Sequence, residues 1–314
     1  MKAYYSTAYG GSEASVFGVL PDPVAGPGQL LIEVKAVSIN PVDWKIKQGA
    51  ARLVTGFRFP RIFGADFAGV VRETGGGVTG FTQGDRVYGS KGTVFSRHGA
   101  LAELRALEHE YVRPIPEGMT FEEAASLPVA ALTALNGLRK CGVEKGTEVL
   151  VNGGTGGVGH FAVQIAKAYG VRVVTTCSPA NNELALKLGA DETIDHRTVD
   201  LFSSGRQFDA IFDAHGHTNA WRVHRLLKRN GTYASTLFIP PPFLAIAVNR
   251  ILRGKKLMSA NMRSLDEDWH ELERLFAEGG FRPVIENVFP LERASDAFDL
   301  AMRGGFRGKI IVTV

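Results

Sequence analysis

The stretch Asn152-Gly153-Gly154-Thr155-Gly156-Gly157-Val158-Gly159-His160 joins an apolar run, TEVLV, to an apolar-periodic segment, FAVQIAKAYG. Gly154, Gly156 and Gly159 within it keep the spacing G-x-G-x-x-G. Alone, that spacing is a weak signal; between a strand and a helix it describes a cradle for a diphosphate. The glycines permit a tight turn, let the anion approach bare backbone, and allow the helix to pack close against the strand. The helix N-terminus then offers free N–H groups and a partial positive charge. Gly154, Thr155, Gly156, Gly157, Val158 and Gly159 are therefore the candidate contacts of a dinucleotide.

The next strand end selects the nucleotide. A site for NADH usually places Asp or Glu about 20 residues on, to hold the ribose 2′-hydroxyl. At that distance beyond Gly159 this chain has Cys177 and Ser178, and its first acid is Glu183. No carboxylate stands there to repel a 2′-phosphate. Ser178 and Asn182 can donate to one, and His196 or Arg197, after the following strand, can add charge. NADPH is the expected cofactor, ahead of NADH.

Such a loop must be positioned by alternating strands and helices, and the pattern after residue 122 supplies them. Strand-like runs at 147–152, 171–177, 191–196, 209–215, 231–238 and 256–262 alternate with helical stretches at 156–169, 181–188 and 219–228. This spacing gives βαβ units and a parallel sheet with helices on both faces. Ligands of such sheets bind beyond the C-terminal ends of the strands, which nominates His215, Leu237 and Phe238. Residues 1–120 read differently. Leu30, Ile32, Val34 and Ala36 alternate with Leu31, Glu33 and Lys35, and turn signals recur at short intervals, as in a compact, mostly antiparallel β-domain. The last fifty residues return to a helix at 265–277 and two short strands, which rejoin the first domain.

A chain of 314 residues suits two domains and needs no disulfide framework. The two cysteines, Cys141 and Cys177, read as ordinary thiols of a reducing cytoplasm. Thirty-six Lys and Arg against 32 Asp and Glu give a net charge of +4, spread along the chain without a block, so no nucleic-acid groove is indicated. The start, MKAYYSTAYG, lacks the apolar core of a signal peptide, and no apolar stretch approaches the ~20 residues of a membrane span.

Several further motifs occur in order: Ser38-Ile39-Asn40-Pro41-Val42-Asp43-Trp44-Lys45, Gly64-Ala65-Asp66-Phe67-Ala68-Gly69, Phe81-Thr82-Gln83-Gly84-Asp85-Arg86-Val87, Ala131-Leu132-Thr133-Ala134-Leu135, Lys187-Leu188-Gly189-Ala190-Asp191 and Gly308-Lys309-Ile310-Ile311-Val312. With the glycine loop, they make nearly the whole chain resemble the medium-chain dehydrogenase/reductase superfamily, in its zinc-free quinone oxidoreductase branch. Alkenal/enone reductases and chloroplast-envelope quinone oxidoreductase homologues are the nearest likeness. The resemblance implies a GroES-like, mostly antiparallel β catalytic domain over 1–123 and 264–314. A Rossmann domain, a doubly wound parallel sheet, would occupy 124–263, with the active site in the cleft. It also implies that Asn40 lies near the nicotinamide, that Thr133, at the start of a helix between the domains, sits beside it, and that a homodimer forms through the region 243–258. Arg307 and Lys309 are expected to reach the diphosphate.

Zinc-dependent members of that superfamily hold the metal with Cys, His and Cys or Asp. Here the histidine position reads Gly64-Ala65-Asp66, and the first cysteine position falls near Asp43. Tetrahedral zinc needs about four N, S or O ligands, which these positions do not supply. Without a Lewis acid, alcohol oxidation is hard, whereas a quinone or an α,β-unsaturated carbonyl spreads the charge of an arriving hydride and needs only positioned hydrogen-bond donors. The expected substrate is thus a quinone or an enone. Asn40 and Lys45 are the candidate donors, with Lys45 placed to hydrogen-bond the nicotinamide ribose or to donate to a developing enolate oxygen; Asp43 orients Lys45 or the loop, and Trp44 and Phe57 are candidate walls of an apolar slot. An enoyl-thioester reductase and a non-catalytic NADPH-binding protein, structural or redox-sensing, are the rival readings.

Overall fold

The alternation at 29–37 builds the longest strand, Gln29–Ile39, in which Leu30, Ile32, Val34 and Ala36 are buried and Glu33 is exposed. A computed structural model describes residues 1–92, 96–216, 218, 220–236 and 254–314, without the side chains of 220 and 221. Contacts divide the chain into two compact units, Met1–Val129 with Ile285–Val314, and Ala130–Val284.

In the first unit Gln29–Ile39 is central to a seven-stranded sheet. Its order is Ile285–Pro290, Lys309–Thr313, Gln29–Ile39, Asp66–Thr74, Arg86–Ser90 and Val112–Pro114, with Leu104–Glu108 also paired to Gln29–Ile39. All pairings are antiparallel except that of Ile285–Pro290 with Lys309–Thr313. A smaller sheet places Lys2–Ser6 between Ser15–Val19 and Arg61–Ile62. Phe63, Phe67, Leu101, Phe298 and Ile310 are among the residues that fill the core. The register puts Ile310 opposite Ile39, so Lys309 lies at the end of the long strand, beside Asn40.

The second unit holds a six-stranded, wholly parallel sheet: Glu192–Asp195, Arg172–Cys177, Glu148–Asn152, Phe208–Asp213, Leu227–Ser235 and Lys256–Ser259. Numbered from Glu148–Asn152, this order is 3-2-1-4-5-6, the doubly wound arrangement whose crevice opens between strands 1 and 4. The helix Gly159–Ala168 covers the first strand through Phe161, Ala162, Val163, Ile165 and Ala166. It begins three residues later than the periodicity indicates, because residues 156–158 form the turn.

Three other elements depart from the sequence reading. The helix Pro128–Cys141 starts five residues before Thr133, with proline at a helix start, where its missing N–H is harmless. The expected helix at 219–228 is only Ala220–Val223 and a 3-10 turn, His224–Leu226. The chain then enters a strand because Leu227 pairs with Phe208 and its side chain is buried in the core beside Val223 and Leu226. The helix Asp266–Ala277, expected with the first domain, belongs to the second unit. Trp269, Leu272, Leu275 and Phe276 form its buried stripe, Asp268 pairs with Arg139, and Glu271 accepts from the Tyr169 hydroxyl at 2.7 Å. Among the described residues no helix is long and apolar enough to cross a membrane. Cys141 and Cys177 are free and buried, and burial pushes the Cys141 thiol up to about 12.

Candidate functional site

The glycine loop turns where strand 1 ends. Gly153 sits at φ +80°, a conformation that costs glycine little. Its amide donates to Thr176 Oγ1 at 2.9 Å, Thr176 donates to Asn152 Oδ1 at 2.6 Å, and Asn152 Nδ2 donates to Asp213 Oδ1 at 2.7 Å. Asp213, fully buried, also accepts from the amides of Gly216 and Thr218 and from the Tyr233 hydroxyl at 2.9 Å. One chain of hydrogen bonds thereby fixes the loop to strands 1, 2, 4 and 5.

Two glycines are sterically required. A Cβ at Gly159 would collide with the Gly153 carbonyl oxygen, and one at Gly154 would meet Thr175 and, at 3.0 Å, Val163 Cγ2. Gly156 is different: its Cβ would meet only the Gly153 carbonyl oxygen, at 3.5 Å, so that side of the loop is open. Among the described residues the amides of Gly157, Val158 and Gly159 have no acceptor, and Gly157 and Val158 are partly exposed at the head of the helix. Backbone that is bare, uncapped and positively polarised fits a dinucleotide diphosphate. Thr155 is buried, with its hydroxyl held by Asn181 Nδ2 at 3.2 Å.

Beyond the strand ends lies a pocket of about 440 Å³. Asn152 and Thr176 form its floor, and His196, Phe202, His215, Thr218 and Arg222 line it. The structure thus brings His196 and His215 together at the crevice. Ser178 is half-buried and precedes a short turn, Pro179–Asn181, without a side-chain capping bond, while Asn182 is exposed with its carboxamide oxygen engaged by Thr193. Thr133 is buried in the helix Pro128–Cys141. Leu237, Phe238 and most of the expected dimer segment fall outside the described residues. Sequence reasoning missed Asn181, the Asp213 network and Arg222.

A second polar cluster is buried in the first unit. Asn40 Nδ2 donates to Asp66 Oδ2 at 2.8 Å, and its Oδ1 accepts from Lys309 Nζ at 2.6 Å. Asp43 accepts from the amides of Asn40 at 2.9 Å and Ala65 at 3.0 Å, so it fixes the loop rather than Lys45. Arg105, also buried, donates to the Ala65 and Lys91 carbonyls. Lys309 was expected at a diphosphate; instead its ammonium is held inside this unit by Asn40 and the charges of Asp66 and Asp43. Arg307 is engaged with Glu286. Asn40 has both ends of its carboxamide in use, so its present role is that of a strut. Lys45, half-buried with Nζ 5.5 Å from the Trp44 ring, forms no ion pair among the described residues. Phe57 is 67% exposed.

Zinc does not fit this cluster. Ala65 offers no donor atom, both Asp43 oxygens accept amides, Asp66 Oδ2 accepts from Asn40 and the Val129 amide, and the Lys309 ammonium already sits beside them, which among the described residues leaves Asp66 Oδ1 as the single oxygen unengaged. Burial raises Asp66 and lowers Lys309, and burial, with Asp66 adding to it, pushes Asp43 up to about 7. A folded-state value above the ordinary 3.8 means that the folded protein holds this proton more tightly than the unfolded chain. The corresponding stability is complete below 3.8 and is lost as pH rises to about 7. Carboxylates held low by cations, such as Glu192 and Glu271, titrate below that window. We expect the urea midpoint to fall between about pH 5 and 7.5, and Asp43→Asn, a neutral isostere, to flatten the fall. Parallel profiles for the two proteins would contradict it.

Residues 26–117 match the family described as alcohol dehydrogenase GroES-like domain, and residues 188–312 match that described as zinc-binding dehydrogenase. The chain is 34% identical, over 326 residues, to a chloroplast envelope quinone oxidoreductase homolog of Arabidopsis thaliana, with 99% of this chain and 98% of that protein covered. It is 31% identical, over 322 residues, to an NADPH-dependent alkenal/one oxidoreductase, chloroplastic, of the same plant, covering 99% of this chain and 79% of the relative. The solved structure of the quinone oxidoreductase from Coxiella burnetii is 32% identical and superposes with a TM-score of 0.88, over 100% of this chain and 99% of that one. The two-domain match and these full-length likenesses establish that the chain belongs to the medium-chain dehydrogenase/reductase superfamily of oxidoreductases.

Proposed function

We propose that this protein is a zinc-independent, NADPH-dependent oxidoreductase that reduces a quinone or an α,β-unsaturated carbonyl. The observation that carries the reading is the bare glycine turn at the head of Gly159–Ala168, on strand 1 of a 3-2-1-4-5-6 sheet. NADPH, when bound, supplies the hydride; the protein binds, orients and polarises. Thr155, Gly157, Val158 and Gly159 would hold the diphosphate with backbone N–H groups, and His196 and His215 would line the nucleotide pocket. Lys45 is the donor left for an oxygen that gains charge as hydride arrives at a conjugated carbon. A conjugated acceptor spreads that charge over an enolate or phenolate, so one ammonium donor can serve where an alkoxide would need a metal. The misfit of zinc at Asp43 and Asp66 supports this choice of substrate. A homodimer and a cytoplasmic location belong to the same reading. Among the described residues Lys256–Ser259 is the outer strand of the parallel sheet, which supports the first, and two buried free thiols support the second.

The test is an acceptor screen with the purified protein and both nicotinamide cofactors, using 9,10-phenanthrenequinone, 1,4-benzoquinone and an alkyl vinyl ketone. NADPH oxidation with at least one acceptor is expected, faster than NADH oxidation. NADPH binding without turnover on any of them would instead favour a binding protein. Lys45→Ala is expected to lower kcat about tenfold or more while leaving the NADPH Kd unchanged, as befits a donor acting in the transition state. Unchanged kcat would remove Lys45 from the chemistry.

A further inference from the structure

The nucleotide pocket gathers polar side chains from several strand ends. Cys177 and Asp195 are paired in register, so Ser178 and His196 leave adjacent strands side by side. A guanidinium reaches the pocket from beyond strand 4: Arg222, on the short helix Ala220–Val223. Its guanidinium carbon is 4.2 Å from the centroid of the Phe202 ring, which also lines the pocket and restrains the side chain. The acids nearby already hold backbone amides, and Asp200 also lines the adjoining cavity with Arg222. Asp195 Oδ1 accepts from the Arg197 amide at 3.0 Å, and Asp200 Oδ1 from the Phe202 amide at 3.1 Å. Arg222 and Asp200 approach only to 3.7 Å, and both side chains are 57% exposed. An ion pair so long and so wet contributes little and is screened by salt, so the guanidinium can turn to a stronger anion at small loss.

We infer that Arg222 is a specificity-determining residue for the adenosine 2′-phosphate, acting with His196 across the pocket to favour NADPH over NADH. The inference rests on the dinucleotide reading above and adds to it the residue that makes the choice. A phosphate monoester presents several acceptor oxygens and close to two negative charges. Arginine matches that group with a rigid fork of N–H donors, which Ser178 and Asn182, both neutral, do not provide. An adenine ring stacked on the same guanidinium is the competing use of Arg222, and it would serve both cofactors equally.

The experiment compares calorimetric binding of 2′,5′-ADP, 5′-AMP, NADPH and NADH to the full chain, as wild type, Arg222→Gln and Arg222→Lys. The wild type is expected to prefer 2′,5′-ADP to 5′-AMP. Arg222→Gln should weaken 2′,5′-ADP and NADPH about tenfold or more, as loss of a charge-assisted contact does, and leave 5′-AMP and NADH within about twofold. Arg222→Lys should recover part of the loss. Retained NADH binding reports that the variant is folded. Equal weakening of all four ligands, or of none, overturns the inference while leaving the dinucleotide reading in place. So does a wild type indifferent to the 2′-phosphate. A wild type that binds none of the four overturns both.

Discussion

Replacing Gly156 by alanine is expected to abolish useful NADPH binding without unfolding the protein, whereas Gly159→Ala should damage both. The difference follows from what each new methyl group would meet. At Gly156 it meets only one carbonyl oxygen at an ordinary 3.5 Å, so the folded loop accepts it. The methyl then stands on the open side of the turn, where a diphosphate must come close to backbone. Displacing the anion from two charge-assisted N–H contacts, each worth about 1.5–3 kcal/mol, raises Kd by a factor of about 100 or more. At Gly159 the methyl would strike the Gly153 carbonyl oxygen and lie 2.9 Å from Gly154 Cα, so backbone has to move. Such overpacking costs about 1–3 kcal/mol of stability in addition to the lost binding. Fluorescence titration with NADPH and thermal melts of both variants separate the cases. Wild-type affinity in Gly156→Ala would mean that the loop does not hold the diphosphate.

Lys309→Met is the substitution with the largest expected effect on stability. It removes the ammonium from Asn40 Oδ1 and leaves the buried Asp43 and Asp66 with Arg105 as the remaining cation beside them. Breaking a buried charge arrangement by deleting one partner costs about 3–5 kcal/mol. The cost depends on pH with a definite sign. Without Lys309 the carboxyls are raised further, so they are neutral at low pH and the loss is smallest there. It grows as pH rises through and beyond 7, where Asp43 would have to ionise. Urea titrations at about pH 5 and 8 should show the variant approaching wild type at the lower value. Adding Asp66→Asn should restore part of the stability at the higher one. A loss equal at both pH values, and unrelieved by the second change, would assign Lys309 a packing role alone.

The two clusters differed in how openly the sequence displayed them. The glycine loop was legible because backbone geometry restricts the residue type: at 154 and 159 no side chain fits, so the requirement is written directly as glycine. The order of strands and helices in the second unit was legible because burial imposes periodicity. The helix Asp266–Ala277 showed its apolar stripe clearly, yet the stripe carries no address, and the structure places it with the second unit. Lys309 was seen as a cation after a glycine and read as reaching outward. Only the pairing of Ile310 with Ile39 turns it inward to Asn40. Arg105 had no signal of its own, since a polar side chain within an apolar strand looks the same whether it meets water or a buried partner. Arg222 lies in a segment whose helical pattern promised ten residues and delivered four, so its direction followed from tertiary contacts alone.

The connectivity of the large antiparallel sheet bears on the order in which the protein can be made. Gln29–Ile39 must wait for Lys309–Thr313 to pair beside it, whereas the parallel sheet is assembled from the unbroken stretch 148–259. During synthesis the inserted stretch can therefore complete its hydrogen bonding while the earlier-made segment still has an unfinished strand edge. That edge, and Asn40 at its end, stays available to chaperones or to mispairing until the closing strand leaves the ribosome.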